Sequence, residues 1–441
     1  MSKVKALLIL LAAAGWLIPA AAWAGPYEVF GTGPRAIAMG GAYSALGEDL
    51  AGVYYNIASI TQVKRLHVEF GYVNAEPEIT LNGVSHDLDP NRGAHFGVIV
   101  SNILRGHRLS FGANVFIPDD HVMRFLVLPS DHPHFVMTAN ANHTVVAIVG
   151  VGFEVFPWMS IGFGSNVLGD NVGGVDFEIN ENDPSRGSLR SEIGSYFSPV
   201  AGLWFRPFNC WRIGASYREK VEMELDLPNT IKIPPITAFH DSGISIIRES
   251  NLVLLAYTWS HFSPRQFTLG NALQLHPRLL TSFDLVYMQW SEMKTDAPYS
   301  FVYLSGGLAD IFPTENGSPP PGPNAHDTIN PSVGGEFHAV DTDRFDMFAR
   351  TGYGFRPTPI PEQTGFSNYL DTDTHIVGAG LGFTFSDISQ VLPRPFSFDL
   401  YTQFQFLERR VMHKTDPNNK IGDLEIEGYW WNLGGNITLR F

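Results

Sequence analysis

Fifteen histidines, one cysteine and a scatter of serines and carboxylates are the residues of this chain able to do chemistry. His132-Pro133-His134, with His143 nearby, has the residue types of a metal site. A metal centre needs three or four converging ligands held by further hydrogen bonds, and the spacing supplies no such convergence, so no metal is expected. Nucleophilic catalysis would show as a Gly-x-Ser-x-Gly elbow, and zinc-assisted hydrolysis as His-Glu-x-x-His. Neither run occurs. Cys210 stands alone and makes no internal disulfide. No catalytic residue and no cofactor is expected, and an outer-membrane lipase or protease is the lesser reading.

The chemistry left is the burial of apolar surface, and the elements able to do that are legible along the chain. Lys3 and Lys5 precede an apolar run from Ala6 to Ile18, and Ala22-Trp23-Ala24 follows it. This is the pattern of an export signal cleaved after Ala24, and it is shorter than the ~18–20 residues that span a bilayer. Cleavage removes Lys3 and Lys5 from 29 basic residues and none of the 44 acidic ones, so the exported chain is more acidic than the net −15 of the whole. Phosphate binding needs concentrated Lys and Arg, which argues against nucleic acid as a partner. Glycine is abundant at 43 residues, aromatics reach 13% and charged residues only 17%, against the charged quarter or so of soluble domains. Polar residues interrupt every later apolar run, so no spanning helix is expected. Exported, aromatic, glycine-rich and helix-poor is the profile of a membrane barrel.

The C-terminus carries the clearest strand. Trp431, Leu433, Gly435, Ile437, Leu439 and Phe441 alternate with Asn432, Gly434, Asn436, Thr438 and Arg440, the period of two that defines a strand with unlike faces. Leu109, Phe111, Ala113, Val115 and Ile117 oppose Ser110, Gly112, Asn114 and Phe116 in the same way. So do Val377, Ala379, Leu381, Phe383 and Phe385 against Gly378, Gly380, Gly382 and Thr384. Strands are expected near 66–74, 94–104, 108–117, 143–155, 158–168, 196–206, 210–224, 264–275, 278–290, 332–340, 344–355, 373–386, 395–407 and 427–441. Short turns such as Arg105-Gly106-His107, His276-Pro277-Arg278 and Asp341-Thr342-Asp343 alternate with long polar connections, as periplasmic turns and extracellular loops do in a barrel. His240–Ile247 and Asn251–Trp259 are strand-like segments inside one long connection and would raise the count to sixteen if they joined the wall. The expected fold is an all-β transmembrane antiparallel β-barrel of fourteen strands over 66–441.

Between the signal and the first strand, 25–65 does not alternate. It is rich in small residues and too short to be a stable domain by itself, so it is expected to be an N-terminal hatch plugging the lumen. Arg35-Ala36-Ile37-Ala38-Met39-Gly40-Gly41-Ala42, then Glu48-Asp49-Leu50-Ala51-Gly52-Val53-Tyr54-Tyr55-Asn56-Ile57-Ala58, resembles the hatch of the FadL/TodX family of outer-membrane hydrocarbon and long-chain fatty-acid transporters. Arg350-Thr351-Gly352-Tyr353-Gly354-Phe355, Pro357-Thr358-Pro359-Ile360-Pro361 and Leu370-Asp371-Thr372-Asp373 resemble a second family segment. Trp211-Arg212-Ile213-Gly214-Ala215-Ser216-Tyr217-Arg218 resembles a third. The family's hatch usually reads Asn-Pro-Ala-Gly where this chain has Asn56-Ile57-Ala58-Ser59, which restores a backbone N–H at 57.

The resemblance implies a cavity closed by the hatch, a kinked third strand that opens the wall sideways, and uptake of a fatty acid or hydrocarbon. Hatch residues Ile37, Met39, Val53, Asn56, Ala58 and Ile60 are the candidates for ligand contact, with packing against the wall the alternative for the apolar ones. Phe111, Gly112, Ala113 and Asn114 are the candidates for the lateral gate, because a glycine can mark a bulge or bend. An ordinary lumen-facing glycine is the alternative at Gly112. Partners expected are outer-membrane lipid and lipopolysaccharide, and the barrel-assembly machinery reading the terminal Phe441. The chain is expected to be a monomer of the Gram-negative outer membrane. A general porin and a structural or secretion-accessory barrel are the non-enzymatic alternatives.

Overall fold

A strand whose outer face is apolar and whose inner face is polar has no stable edge in lipid, so the sheet must close on itself, and the hydrogen-bond ladder of this chain does. In a computed structural model the wall strands, numbered in chain order, are β1 Leu66–Leu81, β2 Asn91–Leu104, β3 His107–Pro118, β4 Val146–Phe156, β5 Met159–Glu178, β6 Arg186–Phe208 and β7 Trp211–Arg218, followed by β8 Arg265–His276, β9 Leu279–Gln289, β10 Thr328–Asp341, β11 Phe345–Arg356, β12 Thr374–Phe385, β13 Phe396–Met412 and β14 Leu424–Arg440. Each pairs antiparallel with the next. β14 closes on β1 from His67 opposite Arg440 to Leu81 opposite Ile426. The structure describes residues 26–441 except 87, 120–131, 138–144, 179–185, 234, 241–242, 248, 296–298, 307–308, 310–320, 366, 387–394, 417–418 and 420. The export signal read at 1–24 lies outside them, as does His143.

The wall therefore has fourteen strands. The strand-like segments of 225–263 do not join it: Val221–Ile233 pairs with Ser250–Ser263, which pairs with Tyr299–Gly306, and the first of these runs parallel to the outward end of β5. They form a sheet beyond the rim, and β7 stops at Arg218, not at 224 as expected. Periodicity registers that the chain stays extended past 218 but not that it changes neighbours. Turns at the other rim are tight. Arg105 (φ 52°) and Gly106 (φ 90°) join β2 to β3 as two left-handed residues, the conformation that matches strand twist in a two-residue hairpin. Phe70, Phe96, Phe163, Leu269, Phe283, Val333, Leu400 and Ile437 face outward and exposed all around the wall. Such a belt is a liability in water and matched to its solvent in a bilayer.

The hatch fills the lumen with α1 Pro26–Phe30, α2 Pro34–Ala38, α3 Gly52–Tyr55 and a 3₁₀ turn at Ile57–Gln62. Its seat explains the glycines that alternate along the wall. A Cβ at Gly162 would lie 2.5 Å from Ala58 N, at Gly214 2.0 Å from Ser44 O, at Gly352 2.1 Å from Met39 C and at Gly378 2.4 Å from Ile37 O. No side chain fits at those distances, so hatch backbone and wall backbone meet directly. Ala36, Ala38, Met39, Tyr43, Ala58 and Ile60 are buried completely.

Polar contacts lock the same fit. The Arg35 guanidinium donates to both Glu336 oxygens at 2.7 Å, Glu336 also accepts from Arg350 Nε at 2.7 Å, and Arg350 pairs with Asp399. Asp284 accepts the N–H groups of Tyr43 (3.0 Å) and Ser44 (2.8 Å), and the Trp204 indole N–H donates to Ala45 O at 2.9 Å. Removing one partner of a buried ion pair costs about 3–5 kcal/mol because the other charge is left uncompensated. Glu336→Gln is therefore expected to loosen the hatch while the wall still forms. Planar-bilayer recordings should change from closed to frequent opening, with unheated gel mobility still that of a folded barrel. A variant as silent as wild type would mean that the glycine seat alone holds the hatch.

Candidate ligand cavity above the hatch

Between the hatch and the outer rim lies a cavity of about 150 Å³. Its floor comes from α1 and α3, with Tyr27, Val29, Val53 and Asn56, and its sides from Val200, Val286, Met288 and Ile376. On the outer side the connection after β11 folds inward. Ile360, Tyr369 and Leu370 are buried, and Tyr369 and Leu370 pair in parallel with His134 and Phe135. These residues pack in one apolar cluster with Phe30, Trp290, Ile426 and Trp430. The Pro357–Pro361 and Leu370–Asp373 runs thus belong to a cap, and His134 sits in it against the Tyr369 ring at 5.2 Å. Burial lifts the Asp371 carboxyl in this cap to about 6 against the pull of Arg356.

Two buried arginines give the cavity its polarity. Arg218 ends β7 on the lumenal face. Its Nη2 donates to Tyr54 O at 2.7 Å, its guanidinium carbon lies 3.8 Å from the Tyr54 ring centroid, and Glu28 is 3.7 Å from Nη1. Its Nε and Nη1 lack a hydrogen-bond partner, as does Nε of Arg356. Each unmet buried donor costs on the order of 1–3 kcal/mol, which a bound acceptor relieves. Acceptor oxygens of Asp284 and Asn330 in the same lining also lack a partner, so the site offers polar groups of both kinds beside apolar surface, and its size is that of cavities which take up a single benzene ring.

Of the hatch residues singled out in the sequence, Val53 and Asn56 line this cavity. The Asn56 amide donates to Ser44 O (2.8 Å) and Leu203 O (2.9 Å), and its oxygen accepts from Ala58 N (3.1 Å) to cap the 3₁₀ turn. Ile57 is the first residue of that turn, where the missing N–H of a proline would cost least. The other four lie outside it and follow the packing alternative: Ile37 and Met39 lie against Gly378 and Gly352, and Ala58 and Ile60 against Gly162 and Gly152, where the hatch meets a glycine-bearing wall directly. At Gly112 the geometry is that of the alternative, an ordinary lumen-facing glycine. β3 pairs with both neighbours through Gly112 without a register shift. A Cβ there would lie 2.7 Å from Val53 Cγ2, so the glycine makes room for the hatch. Phe111 faces outward, Ala113 shares its side of the strand, and Asn114 donates inward to Thr32 Oγ1 at 3.3 Å. Arg218 and Arg356 were missed in the sequence, although Arg218 closes a quoted motif at a lumenal position of its strand.

No family model matches the chain. Alkane uptake protein A of Marinobacter nauticus is 21% identical over 93% of this chain and 90% of its own length. Among solved structures, a Pseudomonas aeruginosa FadL homologue superposes with a TM-score of 0.57 at 14% identity, covering 96% of this chain and 99% of that one. The Pseudomonas putida toluene transporter TodX superposes with a TM-score of 0.54 at 15% identity, covering 93% and 99%. At these identities the likeness establishes the fold.

If Arg218 reads an accepting head group, Arg218→Met should weaken binding of octanoate about tenfold, roughly 1.4 kcal/mol, and leave octane binding unchanged. Displacement of a fluorescent probe measures both. An equal loss for the two ligands would assign Arg218 to packing under Tyr54.

Proposed function

We infer that this chain, a barrel of the FadL/TodX type, takes up hydrophobic small molecules across the outer membrane. The observation carrying this reading is the cavity with buried arginines, floored by the hatch inside a wall with an apolar outer belt. A greasy solute crosses the polar outer leaflet slowly and gains nothing in a wet pore. A dry cavity stabilises it by about 25 cal/mol per Å² of apolar surface removed from water. The names of similar proteins, an alkane uptake protein and a toluene transporter, support the same class of solute, a long-chain fatty acid or hydrocarbon. They also support transport over catalysis. A long chain exceeds the cavity, so its passage requires the cap or hatch to shift.

The export-signal pattern closing at Ala24 and the alternating, aromatic strand of residues 431–441 support delivery to the outer membrane by the barrel-assembly machinery. There the exposed belt meets lipid and lipopolysaccharide, and a monomer suffices because the closed sheet leaves no edge. For the exit, Val53 and Ile60 of the hatch lie against Gly112 from inside, so sideways release between Phe111 and Asn114 would follow hatch displacement.

Overpacking a tight contact costs about 1–3 kcal/mol. Gly112→Val is expected to wedge Val53, lowering uptake of radiolabelled hydrocarbon by cells while the barrel still assembles. Unchanged uptake would remove Gly112 from the path. A deletion strain that grows normally on hydrophobic carbon sources, together with purified protein that yields no extractable ligand, would overturn the transport reading in favour of an accessory barrel.

A further inference from the structure

The hairpin of β10 and β11 reaches the periplasmic rim at Asp341-Thr342-Asp343, and its last rungs are irregular. Register shifts between His338 and Val340, so Ala339 is the extra residue of a bulge. In an unbroken strand His338 and Asp341, three apart, would face opposite sides. With the bulge, His338 pairs with Phe348 and Asp341 with Asp346. Residues 346 and 348 share a face, so His338, Asp341 and Asp346 share it too. That face is lumenal: Asp346, Phe348 and Arg350 border a charged vestibule of about 470 Å³ below the hatch.

One ligand atom from each of the three residues lies within 4.8 Å of the others. His338 Nε2 is 3.0 Å from Asp346 Oδ1, and its ring stacks on Phe348 at 4.4 Å, which fixes where the nitrogen points. Asp341 and Asp346 are directly opposed across the strands, an arrangement of like charges that destabilises a hairpin. Among the described residues no lysine or arginine is ion-paired with either; the one pairing is His338 with Asp346.

We propose that His338, Asp341 and Asp346 bind one divalent cation of the zinc class. One imidazole nitrogen and two carboxylates make a three-ligand site that water completes, and the imidazole selects Zn²⁺ over Ca²⁺ and Mg²⁺. The cation neutralises the opposed carboxylates and clips β10 to β11. Glu336, the next lumenal residue on β10, is the one that holds Arg35 of the hatch. The site therefore lies at the base of the ion-pair chain under the hatch, and nothing in it depends on the uptake reading.

The test uses full-length, tag-free protein folded in detergent, stripped with chelator and titrated calorimetrically with Zn²⁺. Co²⁺ absorption reports ligation by His338. One saturable equivalent is expected, unaffected by excess Ca²⁺, with His338→Ala and Asp346→Asn each weakening it about tenfold or more. Heat-modified gel mobility checks that each variant is folded, and Asp341→Asn on the exposed turn serves if either of the others is not. Equal Zn²⁺ binding by wild type and the folded variants, meaning an adventitious ion only, would overturn the proposal. So would the absence of saturable binding by wild type.

Discussion

The contact on which the rest of the structure depends is backbone against backbone, hatch against wall. Most wall strands carry a glycine at the inward position where the hatch, at Ala58, Ser44, Met39 and Ile37 among others, comes closer than a Cβ allows. Direct contact removes the gap through which water would run past a smaller plug. It also divides the lumen into two compartments of different chemistry. Toward the outer rim lies a small, mainly apolar cavity. On the other side of the hatch lies a charged vestibule bordered by Glu69, Glu336, Arg350, Asp399 and Arg440. An apolar solute is stabilised in the first and not in the second.

The hatch is also tied to the cap. α1 rises from the floor of the cavity, its Phe30 packs edge-on to Trp430 at 5.1 Å, and Gln405 Nε2 donates to Val29 O at 2.7 Å. Phe30 and Val29 belong to the same apolar cluster as Tyr369 and Leu370 of the cap. A displacement of the cap by an arriving solute therefore acts on the N-terminal end of the hatch by direct contact. The Arg35 to Glu336 pair resists on the opposite face of the hatch. The hatch is thus held at two places by unlike forces, apolar packing above and buried charge below.

The wall was legible in the sequence: its strands, their two faces, the alternation of short and long connections, and a non-alternating segment ahead of them, while the choice of fourteen over sixteen waited on pairing. These are readable because a strand in lipid repeats every two residues whatever its neighbours are, as from Trp431 to Phe441. Tertiary structure alone decided which residues meet. Periodicity is blind to partner choice, so it carried β7 past Arg218 and gave no sign that the connection after β11 folds inward as a cap. It left Ile37, Met39, Ala58 and Ile60 between ligand contact and wall packing, and Gly112 between a bend and an ordinary lumenal glycine, because only the contacts with the wall separate such readings. Arg218 becomes a cavity residue, and His338 a neighbour of Asp341, only through register. Register is set by pairing across the chain, which no local pattern records.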